Sequence, residues 1–430
     1  MADRTVAEHL AQVLAAARPL PPVVVPLGEA AGLVAATDVA SRVDLPGFDN
    51  SAMDGYAVRA ADIAAATAQA PVRLPVIADI AAGDAPSRPV GPGEAARIMT
   101  GAMVPAGADT IVKVEDTDAG MPFVSVLVAT SLGTSIRRRG EDLPEGGPVV
   151  AAGTVLTPRH VGLLAAAGHA EVAVRPRPKV AVVSTGAELI APGNPLAPGQ
   201  IHDSNSHLLA AAVDAAGGRT AYRGSIGDHP DEVRDLLDRL AADVDVVITS
   251  GGVSMGVHDV VKAVLRERGE VGFVTVAMQP GKPQGFGRLG ERGVPFFGLP
   301  GNPVSAFVSF EVFVRPLLRR LMGLEPAVAP TTRMRLAAPL RSPAGRLQIA
   351  RATVDRTPDG GWVATPVAGQ GSHFVADLAA ADALLLVPAE VTHLQPGDEV
   401  DSILLWPTRT PRQRPGSPMC APMAARTWST

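Results

Sequence analysis

The sequence holds a single cysteine, Cys420, close to its C-terminus. That excludes a disulfide framework, a thiolate metal site and a catalytic thiol in the body of the chain. Aromatic residues are scarce at 3% while hydrophobic residues make up 47%, so the cores must be built from Ala, Val, Leu and Ile. No apolar run approaches the roughly 18 residues of a membrane span, and the N-terminus MADRTVAEHL lacks the apolar stretch of a signal peptide. Positive charge is not in excess: 38 basic against 43 acidic residues leave a net −5, with no extended basic tract. A generic binder of nucleic acid or anionic membrane is thereby disfavoured. The histidines form no HxxxH or HxH pair, hence no zinc site. What remains is a soluble, cytoplasmic protein long enough for two to four domains.

Several segments of different character follow one another. Residues 5–18 place Val6, Leu10, Val13 and Leu14 at helical spacing and stop before Pro19, predicting an amphipathic helix. Between about 47 and 139, short β-branched runs separated by Gly and Pro predict a β-rich domain. A second helix is predicted at 158–168, with Thr157 as N-cap, Pro158 in the first turn and Gly168 beyond the end. Packing of this helix on the first would make the β-rich part an insertion. From 176 to 326, apolar strands (KVAVVS, VDVVITS, PFFGL) alternate with helices, as in a doubly wound, mostly parallel α/β sheet. Residues 327–407 return to alternating strands, a small β domain, and the Pro-, Arg- and Ser-rich tail 408–430 is expected to be disordered.

The residues able to do chemistry gather after the strands of the α/β region, where such sheets bind ligands. KVAVVSTGAEL places Ser184, Thr185 and Gly186 after one strand, with Glu188 two residues on. DVVITSGGVSMGVHD places Ser250, Gly251 and Gly252 after another, then Asp259. Hydroxyls followed by glycine let backbone N–H groups converge on a phosphate. GLPGNPVSAF adds Pro300, Asn302 as helix cap and Pro303 as first helical residue. Pro316 is expected to kink the helix that follows. In MQPGKPQGFG, Lys282 is held between Pro280 and Pro283, stiffness that suits an anion site. Asp54, Asp142, Asp228, Asp259 and Glu188 each stand near a loop start. Singly they read as caps or turn residues; together they suit Mg²⁺, which takes one or two carboxylates and completes its shell with waters and phosphates. RRRGED, 137–142, reads either as a solvated charge run or as an anion clamp.

One stretch stands apart. LPGFDNSAMDGYAV, 45–58, fits no regular period and threads Phe48, Met53 and Tyr56 between Asp49, Asn50, Ser51 and Asp54. A solvated turn seldom needs such apolar anchors.

These motifs (DNSAMDGYAV, RIMTGAMVP, RRRGED, STGAEL, SGGVS, PGKP, LPGNPVSA) occur in the order seen in the molybdopterin molybdenumtransferase family, which is also similar to the gephyrin C-terminal E domain. The resemblance spans the first helix to about residue 406. It implies an elongated homodimer of four-domain subunits: a discontinuous helical domain (1–46 and 140–175), an inserted β-rich domain (47–139), an α/β domain of molybdopterin-binding type (176–326) and a C-terminal β-barrel-like domain (327–407). It also implies Mg²⁺-dependent hydrolysis of adenylyl-molybdopterin with insertion of molybdate into its dithiolene, and a molybdopterin adenylyltransferase as substrate donor. Catalytic roles carry over to Asp54, Thr100, Asp142, Glu188, Asp228 and Lys282, and metal-binding roles to Asp54, Glu188, Asp228 and Asp259. Substrate-binding positions are Ser184, Thr185, Gly186, Ser250, Gly251, Gly252, Asp259, Gln279, Pro300, Asn302 and Pro303. Molybdate would meet Lys282, Arg351 and Ser372. The 45–58 loop would reach the α/β domain of a second subunit, anchored by Met53 and Tyr56 with Asp54 aimed at substrate.

Two positions depart from the family pattern. Many relatives carry lysine where this chain has Gln279, and an acidic residue where it has Val257. Rival readings are a stand-alone molybdopterin adenylyltransferase, which would not account for DNSAMDGYAV or RRRGED, and a non-catalytic molybdopterin-binding scaffold. The intact carboxylates favour the enzyme.

Overall fold

A computed structural model describes residues 3–227, 229–252, 260–268, 271–358 and 360–405. The chain divides into two compact units, Pro22–Arg175 and the remainder.

Within Pro22–Arg175, the two ends of the segment zip onto each other. Val23–Pro26 and Val34–Ala35 flank Glu171–Arg175, Val39–Ala40 pairs with Pro148–Val150, and Leu45 bridges to Leu143. The helix Pro158–Ala166, capped by Thr157 and His160, buries Leu164 against Ala30, Val172 and Val174. Strand pairing thus accounts for more of this region than the helical character expected. The segment between the zipped ends carries a five-stranded sheet in the order Thr110–Lys113, Gly55–Val58, Ala95–Ile98, Val72–Ile80, Phe123–Val126. Alternate side chains of its strand Gly55–Val58 enter different cores: Tyr56 and Val58 one, Ala57 the other.

In the other unit, a six-stranded sheet runs in the order Arg219–Ile226, Lys179–Thr185, Val246–Ser250, Val294–Leu299, Pro283–Leu289, Val271–Thr275. Its first four strands are parallel and the last two antiparallel. Both faces are buried. Val180, Val182 and Ile248 point into one core and Ala181, Val183 and Val247 into the other, which explains why these strands read as continuous apolar runs.

The N-terminal helix Val6–Ala15, with its Thr5–Glu8 capping box, packs on this unit and not on Pro158–Ala166. Its apolar face, with Val13 fully buried, meets the helical segments 310–321. An amphipathic stripe announces a buried face without naming the core that receives it. Before Pro316, residues Phe310–Val314 form a π-turn, which absorbs the hydrogen bond that proline cannot make. The C-terminal strands Leu347–Arg356, Trp362–Pro366, Thr332–Leu336, Glu399–Leu404 and Ala383–Val387 close into a barrel around Met334, Ala350, Ala352, Leu385 and Val400. On its outer side, Ile349 and Leu384 join the α/β core. The tail expected to be disordered falls outside the described residues.

Candidate functional site

Three strand-to-helix turns at the carboxyl edge of the parallel strands enclose a cavity of about 530 Å³. Ser184, Thr185 and Glu188 come from the first turn, Ser250, Gly251 and Gly252 from the second, and Pro300, Asn302 and Pro303 from the third. Positive φ at Gly251 (92°) and Gly252 (73°) turns the chain sharply after the strand. A Cβ on Gly251 would stand 2.7 Å from the Thr185 carbonyl and hydroxyl oxygens, so only glycine lets these two loops approach. Gly186 (φ 149°) owes its identity to that backbone conformation, since the atoms a Cβ would meet belong to the movable Glu188 carboxylate.

Neighbours that sequence reading passed over complete the cavity. Asp203 is buried and accepts hydrogen bonds from Ser184 Oγ (2.8 Å) and Ser206 N–H (3.0 Å). Asn205 Nδ2 donates to Ser250 Oγ (2.8 Å) and to the Gly301 carbonyl (2.6 Å). Their only trace in the sequence is the DSNS run, which reads as ordinary helix-start chemistry. Asn302 stands at the helix start, but its side chain makes no capping bond; Nδ2 donates to Ser372 Oγ at 2.9 Å instead. Ser372 thereby sits one hydrogen bond from the cavity wall.

Arg351, carried over by the resemblance as a molybdate contact, is turned inward. It is almost fully buried and donates to the carbonyls of Gly369 (2.5 Å), Gly371 (3.0 Å) and Phe374 (3.0 Å). Burial lowers its pKa below the usual arginine value. The charge organises the loop that carries Ser372. Lys282 is half exposed and pairs with Asp3 at 3.5 Å, while Pro283 beside it lines the cavity. Gln279 is exposed and accepts from Arg346 Nη1 at 3.3 Å. Asp228, Asp259 and Val257 lie outside the described residues.

In the other unit, Tyr56 is buried and its hydroxyl donates to the Gly120 carbonyl (3.0 Å), whereas Met53 is 41% exposed. Tyr56 anchors the 45–58 stretch within this unit, while Met53 stays exposed ahead of the strand that begins at Gly55. Asp54 Oδ1 accepts from both the N–H and the hydroxyl of Thr100, and these bonds, the hydroxyl's first, hold its carboxyl below the usual range. Asp142 keeps an exposed carboxylate while its N–H donates to the Leu45 carbonyl. RRRGED stays largely exposed, but two of its arginines are paired. Arg138 pairs with Asp49 at 2.6 Å and Arg139 with Asp44, tying the run to the loop that precedes Asp54.

Chemically, the cavity offers hydroxyls from Ser184, Thr185 and Ser250 beside tight glycine turns and, among the described residues, one exposed carboxylate, Glu188, groups that suit a phosphorylated ligand. Comparison with known proteins agrees in outline. Residues 4–168 match the family described as MoeA N-terminal region (domain I and II), 181–320 the probable molybdopterin binding domain, and 333–405 the MoeA C-terminal region (domain IV). Molybdopterin molybdenumtransferase 2 of Mycobacterium tuberculosis is 48% identical over 92% of this chain and 98% of its own. Molybdopterin molybdenumtransferase 1 of that organism is 38% identical over 94% and 99%. The crystal structure of a molybdopterin biosynthesis MoeA protein from Pyrococcus horikoshii superposes with a TM-score of 0.81 at 34% identity, covering 94% of this chain and 99% of that one.

Proposed function

This chain belongs to the MoeA family of molybdopterin molybdenumtransferases, and from that premise we propose that it hydrolyses adenylyl-molybdopterin, inserts molybdate into the dithiolene and releases molybdenum cofactor and AMP. The observation that carries this reading is the cavity at the strand ends, where the glycine turns at Gly186 and Gly251–Gly252 meet the start of the helix at Pro303. Phosphate oxygens would accept from the hydroxyls that line the cavity, Thr185 among them, since the N–H groups of Gly186, Gly251 and Val304 already donate to the carbonyls of Ile226, Leu299 and Ser372. Cleavage of the phosphoanhydride then rests mainly on positioning and charge stabilisation. The sulfur atoms that take the metal come with the substrate, which agrees with a body free of cysteine. Molybdate, as second substrate, would be met by Ser372 on the loop that Arg351 organises, with Lys282 supplying charge.

Mg²⁺ fits the donor set. Glu188 lines the cavity with an exposed carboxylate, and Mg²⁺ takes one or two carboxylates and completes its shell with water and substrate phosphates. Glu188, with Asp228 and Asp259, would hold it, and it would neutralise charge on the phosphates. We further propose a homodimer in which Asp54 of one copy serves the cavity of the other, since Phe48 and Met53 expose apolar surface on either side of its loop. Its place of action would be the cytoplasm, with a molybdopterin adenylyltransferase supplying the substrate.

The test is AMP release from adenylyl-molybdopterin by the purified full-length protein, with molybdate and Mg²⁺ each present or omitted. Release that needs both supports the proposal. Tight molybdopterin binding without AMP release would leave a scaffold and end the enzymatic reading.

A further inference from the structure

Asn205 makes the most unusual set of contacts at the cavity. Both hydrogens of its amide are spent on the two glycine loops: one on Ser250 Oγ (2.8 Å), the other on the Gly301 carbonyl (2.6 Å). Ser250 Oγ in turn donates to the Pro300 carbonyl at 3.2 Å, so the two loops are joined twice through one side chain. Between these bonds the loops run close enough that a Cβ added on Gly301 would just reach Gly251 Cα, at 3.6 Å. The other end of the amide is left idle: Asn205 Oδ1 is buried and has no partner. A buried, unpaired carbonyl is unfavourable, and a residue chosen for folding alone would avoid it. Only a short side chain with an NH₂ group provides two donors from this spot; Ser, Thr and Asp cannot.

We infer that Asn205 is a positioning residue for the proposed reaction, setting the spacing between the Ser250–Gly252 turn and the Pro300–Pro303 turn and hence the fit of the substrate's phosphate. It does not touch the ligand through Oδ1, which is sealed from solvent. Its influence runs through the separation of the two turns, which sets the width of the cavity between Ser250–Gly252 and Pro300–Pro303. This inference rests on the proposed function and specifies how that site is held.

The consequence is a split between the two substrates. Asn205→Asp keeps the size and suits a helix start, so the fold is retained, but both donors are lost. With two hydrogen bonds removed from the cradle, KM for adenylyl-molybdopterin is expected to rise about tenfold or more. Half-saturation by molybdate should change much less, because Arg351, which holds the Ser372 loop, keeps its contacts with Gly369, Gly371 and Phe374. Asn205→Gln retains the NH₂ group and should recover part of the loss, whereas Asn205→Ala should not. The full-length wild type is the control. If it neither binds molybdopterin nor releases AMP, the proposed function has failed, and the failure is visible before any variant is made. If wild type is active and Asn205→Asp shows the same KM, or if both substrates weaken equally with a lowered melting temperature in all three variants, Asn205 is merely structural and the inference falls.

Discussion

The Asp54 carboxylate and Thr100 are joined by two hydrogen bonds to the same oxygen: the Thr100 N–H and hydroxyl both reach Asp54 Oδ1 at 2.7 Å. The side chain is thus oriented while Oδ2 remains open on an exposed loop. Asp54→Ala should leave the unfolding transition where it is and slow AMP release about a hundredfold or more, the scale seen when a preorganised charged group is removed. Thr100→Val, which keeps the backbone donor, should cost about tenfold. Kinetics indistinguishable from wild type in Asp54→Ala would remove this carboxylate from the reaction.

Ser372 and Arg351 serve the same loop in different ways, and their variants should separate. Arg351→Ala leaves three loop carbonyls without their charged donor, so stability should fall by about 2–3 kcal/mol together with weaker use of molybdate. Ser372→Ala removes one exposed-loop hydroxyl and should leave stability almost unchanged while raising the molybdate concentration needed for half-maximal rate. Denaturant titrations beside molybdate titrations decide the matter. Equal stability losses in both variants would contradict the division of labour.

How far the sequence announced all this depends on the kind of signal. Glycine after a strand-end hydroxyl was legible at Gly186 and Gly251, because backbone geometry leaves few alternatives there. The continuous apolar strands follow from local pattern as well, whereas the strand pairing that zips the ends of Pro22–Arg175 did not, since helical character was expected there. The destination of the helix Val6–Ala15 did not, since an apolar stripe fits any apolar partner. Nor did the inward turn of Arg351: alternation along its strand marks a face, and only tertiary packing shows that loop carbonyls cover that face. Asp203 and Asn205 were hidden because the same residue types start helices everywhere.

His9 gives the fold a pH dependence of its own. It is buried beneath the N-terminal helix, edge-on to Phe313 with ring centroids 4.7 Å apart, and neither ring nitrogen has a partner. Burial is the main reason its pKa falls from 6.5 to about 4, with Arg4 adding to it. The unfolded chain therefore takes up this proton first as pH drops. The stability that neutral His9 provides is complete above about 6.5 and is lost progressively down to about 4, by roughly 3 kcal/mol at most. Unfolding measured at pH 7.5 and 4.5 should show wild type losing more than His9→Leu by about that amount. Equal losses would mean that the ring escapes to solvent before it is protonated.

Gln279 tests whether the departure from lysine matters. Its Oε1 accepts from Arg346 Nη1 at 3.3 Å, so a cation is already beside the position where the family resemblance led us to expect a lysine. A glutamine brings no charge of its own, and hydrogen bonds to charged groups contribute roughly 1.5–3 kcal/mol against about 1 for neutral ones. If position 279 faces molybdate, Gln279→Lys should lower its half-saturating concentration about tenfold, the low end of that difference after solvent screening. Lysine would also break the bond to Arg346 and add repulsion, which pulls the gain downward; Arg346→Ala in the Gln279→Lys background should restore it. Turnover need not rise, since tighter binding of the ground state does not by itself lower the barrier. Superimposable titrations of wild type and Gln279→Lys would show that this side chain serves only the turn before Pro280 and its contact with Arg346.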